Sequence, residues 1–246
     1  MRNIKALGLA LSAVFAFGAV LASGAQAGAP RWTVVEGGVA RTLVASEERT
    51  VAGESTGDVT ITGAGVSMTS TSCTISGRII GSAAGSPGTY TGTQHCTGWV
   101  VPGAPKCVIN SEGAAAGTVI STPLTGRLVW LKQRPDVSSV GLTLEPDAGS
   151  TAFSHIEVTG AGCAATNKFT VTGNTICTAT PVGQDAINGT LDCPSTPIKK
   201  YFTNQTPTRT EDEDTGTRIG AGASTFVAHF VNIKLSSGVE WGIENG

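Results

Sequence analysis

Residues Gly53-Glu54-Ser55-Thr56-Gly57 spell G-x-S-x-G. Hydrolases use that spacing to hold a nucleophilic serine on a strained turn between a buried strand and a helix. The flanks here argue against it. SEERTVA before the motif is too charged for a buried central strand, and DVTITG after it reads as a strand rather than a helix. His155 and His229 are conceivable bases, but no spacing ties either to Ser55. The stretch therefore reads as a turn, and an extracellular hydrolase using Ser55 is the alternative to set against that reading.

His155 and Glu157 stand two residues apart, so a strand presents both on one face, where both could reach a metal. A metal site needs further ligands. They would have to come from distant positions such as His95, His229 or Asp147, so the pair reads as a solvated polar face. Gly160-Ala161-Gly162-Cys163-Ala164-Ala165 matches G-x-G-x-x-A, but a dinucleotide fold needs a helix next, and NKFTVTG reads as a strand. Glu211-Asp212-Glu213-Asp214 is the densest charge cluster. Its oxygens could hold calcium outside a cell, but the EF-hand order is missing, and a charge run of this kind reads as a solvated loop. Trp32, Trp99, Trp130 and Trp241 could be the stacking platforms of a carbohydrate-binding module. Three of them sit in alternating runs and fit a core better; Trp99 is the one expected to be exposed. No residue is assigned a catalytic, cofactor or metal role on this reading.

Whatever these residues do, strands must position them. Two-residue alternation recurs along the chain, and no 3.6-residue apolar period is found after the first 28 residues. Val59 and Ile61, then Cys73, Ile75 and Ile79, then Leu124, Leu128 and Trp130, each share one face of their run. So do Val140, Leu142 and Leu144; Ala152, Ile156 and Val158; Phe169 and Val171; and Val239, Trp241 and Ile243. TFVAHFVNIKL (225–235) is apolar on both faces at its start, as in a central strand. Gly, Pro, Asn and Asp clusters such as GSAAGSPG (81–88) and EPDAGS (145–150) punctuate the runs at the short intervals of sandwiches and barrels. EGAAAGTVISTPLTGRLVWL (112–131) holds three helix-favouring alanines between glycines, too few for a stable helix. It reads as an irregular turn, a short strand 118–121, a turn through Pro123 and a strand 124–132. The expected fold is all-β: a disulfide-linked β-sandwich with immunoglobulin-like or jelly-roll-like layering, or a barrel-like variant of it.

The chain opens with Arg2 and Lys5, an apolar run from about Ala6 to Leu21, and Ala25-Gln26-Ala27, the pattern of a cleaved signal peptide over 1–27. Residues 28–246 then form a single secreted β-domain with a flexible acidic loop near 203–217. The 246 residues carry 16 basic and 18 acidic side chains. Removing Arg2 and Lys5 leaves 14 basic against 18 acidic, a net charge of −4 on the mature chain. That excludes a nucleic-acid footprint, which needs a clustered basic surface, and a polybasic membrane contact. Six cysteines (Cys73, Cys96, Cys107, Cys163, Cys177, Cys193) without a C-x-x-C read as three disulfides in an exported chain.

WTVVEGGVARTLVASEERTV (32–51), VTITG before Cys73, the close Cys96 and Cys107, GAAAGTVISTPLTGRLVWL (113–131) and VGLTLEP (140–146) follow one another in order. In this the chain resembles a group of uncharacterised secreted proteins of actinobacteria over most of 32–163. The resemblance implies export; it brings no catalytic residue, cofactor or partner. Cys177 and Cys193 fall where the chain departs from that pattern, which makes each the other's simplest partner. Cys96 and Cys107 flank GWVVPGAP and read as a loop staple, leaving Cys73 to pair with Cys163. The expected role is that of an exported, non-catalytic structural or binding protein of the cell surface or extracellular space, meeting a surface protein or glycan.

Overall fold

A computed structural model describes residues 28–104, 106–132, 138–160, 163, 167–203, 211–213 and 216–244. Residues 1–27, expected to be a signal peptide, lie outside the described residues, as do 204–210, 214 and 215 of the expected acidic loop. The described residues form strands and no helix. In chain order the strands are β1 (Arg31–Glu36), β2 (Val39–Thr42), β3 (Glu48–Ser55), β4 (Val59–Gly63), β5 (Val66–Ser70), β6 (Ser72–Ile80) and β7 (Thr89–Thr97). There follow β8 (Val108–Asn110), β9 (Val119–Ile120), β10 (Leu124–Trp130), β11 (Val140–Pro146), β12 (Ala152–Thr159), β13 (Asn167–Gly173) and β14 (Thr175–Thr180). The last are β15 (Asp185–Ala186), β16 (Gly189–Cys193), β17 (Lys200–Phe202), β18 (Glu211–Glu213), β19 (Thr217–Ile219), β20 (Gly222–Leu235) and β21 (Trp241–Glu244).

Eight of these close into a barrel. Each pairs antiparallel with the next in the order β3, β6, β7, β10, β11, β14, β16, β20, and β20 returns to β3. The chain is thus an up-and-down barrel, the barrel-like form of the expected all-β, disulfide-linked fold. Closure leaves these strands without a free edge.

The other strands are the connections. At one end all four connections are enlarged: β4–β5 between β3 and β6, β8–β9 between β7 and β10, β12–β13 between β11 and β14, and β17–β19 between β16 and β20. Most of them join in a second sheet, in the order β5, β4, β20, β19, β13, β12, β8. The long β20 belongs to both bodies: its first half pairs with β4 and β19, its second half with β16 and β3. Loop backbone bridges the gap between β5 and β8. Thr69 pairs with Val100, Trp99 N–H donates to Gly117 O at 3.1 Å, and Gly117 N–H donates to Ile109 O at 2.9 Å. The AAAG stretch is therefore a turn that seals this lobe, and 119–120 and 124–130 are strands, close to expectation.

At the opposite end a small sheet, β15-β21-β1-β2, covers the barrel mouth. Trp32 and Trp241 reach from it into the barrel, 5.8 Å apart between ring centroids, with Val51, Ile79 and Leu142 around them. Their indole N–H groups donate to Thr89 O (2.8 Å) and Ile233 O (3.1 Å). Burial pushes the nearby Tyr90 phenol up to about 12; its hydroxyl donates to Ser76 O at 3.2 Å.

Simple alternation misses two features. Leu128 to Trp130 and Val140 to Leu144 are buried on both faces, because Ile198 and Tyr201 pack over Val129 and Ile176 on the barrel's outside. In β20 the burial phase changes: Phe226, Ala228 and Phe230 point inward, then Ile233 and Leu235 do, with Asn232 between them at φ 51°. Asn232 and Ile233 together oppose Gly53, a β-bulge, and Val227 and Val231 are half-buried rather than facing a second core.

The disulfide reading needs correction. Cys177–Cys193 forms as expected, but the others are Cys73–Cys96 and Cys107–Cys163, not Cys96–Cys107 and Cys73–Cys163. Cys73 and Cys96 are direct cross-strand partners in β6 and β7, with Cα atoms 4.0 Å apart. Part of the stretch expected as a flexible loop is a strand: β18 pairs with β17, with Tyr201 opposite Asp212.

Candidate functional site

A groove of about 660 Å³ lies on the outside of the barrel. Neighbouring strands supply its polar walls: Glu54 from β3, Thr74 and Ser76 from β6, and Asn232 and Lys234 from β20, with Asn188 at one end. The register explains the set. Glu54 lies opposite both Thr74 and Val231, and Ala52 opposite both Ser76 and Lys234. Small Ala52 between long Glu54 and Lys234 makes the floor. The bulge turns Asn232 across the groove, where its Nδ2 donates to Glu54 Oε1 at 2.9 Å. Bulges re-aim side chains in this way. The groove thus offers one carboxylate, one ammonium, two amides and two hydroxyls, and no aromatic ring.

The bulge also accounts for the G-x-S-x-G match. A Cβ on Gly53 would meet Ile233 Cγ1 at 2.6 Å, so only glycine fits opposite the bulge. Gly57 turns the chain at φ 73°, a conformation glycine adopts without steric cost. Ser55 faces inward opposite buried Phe230, and its Oγ accepts the Cys73 N–H at 2.9 Å. His229, next along β20, points the other way and holds Asp192 through Nδ1 at 3.2 Å. Ser55 and His229 thus lie on opposite faces of the barrel wall.

His155 and Glu157 share the outer face of β12, as the spacing predicts, but no third ligand joins them. His155 Nδ1 lies 3.5 Å from Thr170 Oγ1, and Glu157 is 3.9 Å from Lys168 Nζ, which also pairs with Glu112 at 3.2 Å. His155, Glu112 and Ile120 line a smaller cleft of about 390 Å³ beside the AAAG turn. His95 is exposed on β7 opposite Ile120, and Asp147 caps its own turn by accepting the Ala148 N–H at 2.8 Å. No group of three or more His, Cys, Asp or Glu side chains converges among the described residues. Glu211, Asp212 and Glu213 lie in β18, and Asp214 lies outside the described residues.

The tryptophans give no stacking platform. All four are buried, including Trp99 at 3% exposure, so the expectation of an exposed Trp99 is overturned. Gly117 brings the AAAG turn against the Trp99 backbone and folds its ring into the second lobe. The glycine match at 160–165 precedes β13, a strand, and its Cys163 is disulfide-bonded; residues 161, 162 and 164–166 lie outside the described residues.

Sequence reasoning missed Asn232 and Lys234. The signal was there: an asparagine inside FVNIKL, with the apolar phase reversing across it. Asparagine is depleted in strands and tolerates the left-handed conformation, so a phase reversal at Asn marks a bulge. No protein family, curated protein or solved structure matches the chain.

Proposed function

We propose that this is an exported, non-catalytic binding protein that takes a short, hydroxyl-rich ligand of the saccharide class in the groove between β3, β6 and β20. The observation that carries the reading is Asn232, a non-glycine residue held at φ 51° with its amide laid against Glu54 inside the groove. Asparagine takes the left-handed bulge position readily, and the bulge there aims the amide at Glu54 inside the groove. A carboxylate and amide side by side, with Lys234, Asn188 and two hydroxyls, provide both donors and acceptors, as vicinal diols require. Three disulfides suit an oxidising, extracytoplasmic setting. The resemblance of 32–163 to secreted actinobacterial proteins points the same way. Among the described residues His229, the base nearest along β20, faces away from Ser55, which weighs against the hydrolase alternative.

The test is titration of the protein with N-acetylglucosamine oligomers, arabinose and trehalose, followed by amide chemical shifts. Shifts clustered at β3, β6 and β20 are expected for at least one probe, and Glu54→Gln and Asn232→Gly should each weaken them about tenfold or more, the scale of one charge-assisted hydrogen bond. Glycine keeps the bulge at φ 51°, so loss of binding there reports the amide rather than the fold. No shift with any probe, or shifts indifferent to both variants, would reject the groove. A hydrolytic activity abolished by Ser55→Ala in a folded protein would reject the non-catalytic reading.

A further inference from the structure

We infer that the second lobe holds a single internal water molecule, bound by Gln94 and Trp99 between β7, β9, β12 and β20. Two independent observations coincide there. Gln94 Nε2 and Trp99 Nε1 are buried donors without a hydrogen-bond partner, in residues 7% and 3% exposed. Both residues line one cavity of about 20 Å³, shared with Ser121, Ser154, Ile61 and Phe226. Leaving a buried donor unpaired is unfavourable, and two in one place call for one acceptor.

Size and chemistry select the acceptor. About 10–15 Å³ suffices for one water, and a bound water needs two to four polar partners. Its two lone pairs serve the amide and indole N–H groups. Its own protons have the Ser121 and Ser154 oxygens as acceptors; Ser121 Oγ already accepts the Gln94 backbone N–H at 2.8 Å and has capacity left. A halide could accept both N–H bonds, but its charge would be buried with no cation among the lining residues. The water joins the Trp99 loop to β7, whose Cys96 borders the same cavity and is bonded to Cys73. The lobe's loop closure is thereby tied to the barrel wall.

The experiment is NMR detection of cross-relaxation between water and the Trp99 indole N–H, with a high-resolution crystal structure of the full mature chain. A peak within about 2.7–3.2 Å of both Gln94 Nε2 and Trp99 Nε1 is expected, with a water cross-peak to the indole that Gln94→Met abolishes. Both wild-type measurements stand even if that variant fails to fold. An empty cavity, a Gln94 side chain turned away from it, or an anomalous peak at the site after bromide soaking would overturn the assignment.

Discussion

The two ends of the barrel are finished in different ways. At the lobe end, four long connections fold back on each other, and all three disulfides are found there: Cys73–Cys96 and Cys177–Cys193 near the barrel rim and Cys107–Cys163 between β8 and β12. The opposite end has no disulfide. It is plugged by Trp32 and Trp241, and its covering sheet is tied to β3 by a ring of charges in which Arg41 and Arg49 each hold both Glu36 and Glu47. Cys107–Cys163 closes a 56-residue loop through the lobe and relieves its closure cost by restricting the unfolded chain, while Cys73–Cys96 and Cys177–Cys193 clamp the lobe ends of strand pairs whose turns lie at the opposite end. The plugged end instead draws on apolar burial, proportional to the area removed from water. One end should therefore answer to reductant, the other to core truncation and acid.

The largest effect should come from the plug. Trp241→Ala should cost about 4–5 kcal/mol in urea unfolding, the upper range for truncating a buried aromatic. Phe226→Ala at the lobe end should cost about 3 kcal/mol, the lower end for a buried aromatic, because Phe226 borders a small cavity and has fewer packing contacts to lose. The reverse order would mean that the lobe, not the plugged barrel, is the centre of stability.

The disulfides sharpen the contrast within the lobe end. Cys107–Cys163 spans 56 residues and Cys177–Cys193 spans 16. In the loop-entropy account, replacing both members of the first pair by Ala should cost about 4 kcal/mol, against about 3 for the second. Amide hydrogen exchange should show where. Losing Cys107–Cys163 should speed exchange in β8, β12 and β13 and leave β1 and β21 unchanged. Faster exchange in the covering sheet as well would show that the two ends are not independent.

Much of this contrast is legible in the sequence, and the misses have definite causes. Alternation marks the barrel strands because most have one face on a filled interior, as at Cys73, Ile75 and Ile79 in β6. Reading Cys96 and Cys107 as a loop staple leaves Cys73 to Cys163 by elimination and overlooks strand register, which pairs Cys73 with Cys96. GSAAGSPG centres between Ala84 and Gly85, and Cys73 and Cys96 lie equally far from that centre, so a hairpin there places them opposite each other. Cys177 and Cys193 are likewise equidistant from Asp185. The burial of Trp99 was not legible, since it depends on Gly117, from another connection, reaching its backbone. The groove was half legible. Glu54 lies inside the G-x-S-x-G match, whose chemistry would rest on Ser55, and Asn232 lies at a phase reversal that marks a bulge.

The smallest effect concerns the charge ring, and its sign can be worked out. The Arg41 guanidinium beside Glu47 holds that carboxyl at about 2, down from 4.5, with the Val44 N–H and Arg49 adding to the pull. Arg49 and Arg41 lower Glu36 as well. A carboxyl depressed in the folded state adds stability that is complete above its unfolded value and is lost as pH falls toward its folded one. The ring should therefore contribute fully above about pH 5 and weaken between about pH 4.5 and 2. Solvent screening at this surface limits the gain from Glu47 to about 1 kcal/mol. Glu47→Gln should remove that amount at pH 7, shrink it in high salt, and abolish the difference from wild type near pH 2, all measured by unfolding. Hydrogen exchange at pH 3 should then rise in β1 and β2 while the lobe, held by bonds that acid does not touch, stays protected. If acid loosens β12 and β13 before β2, the ring does not secure this end, and the contrast between covalent and electrostatic closure fails.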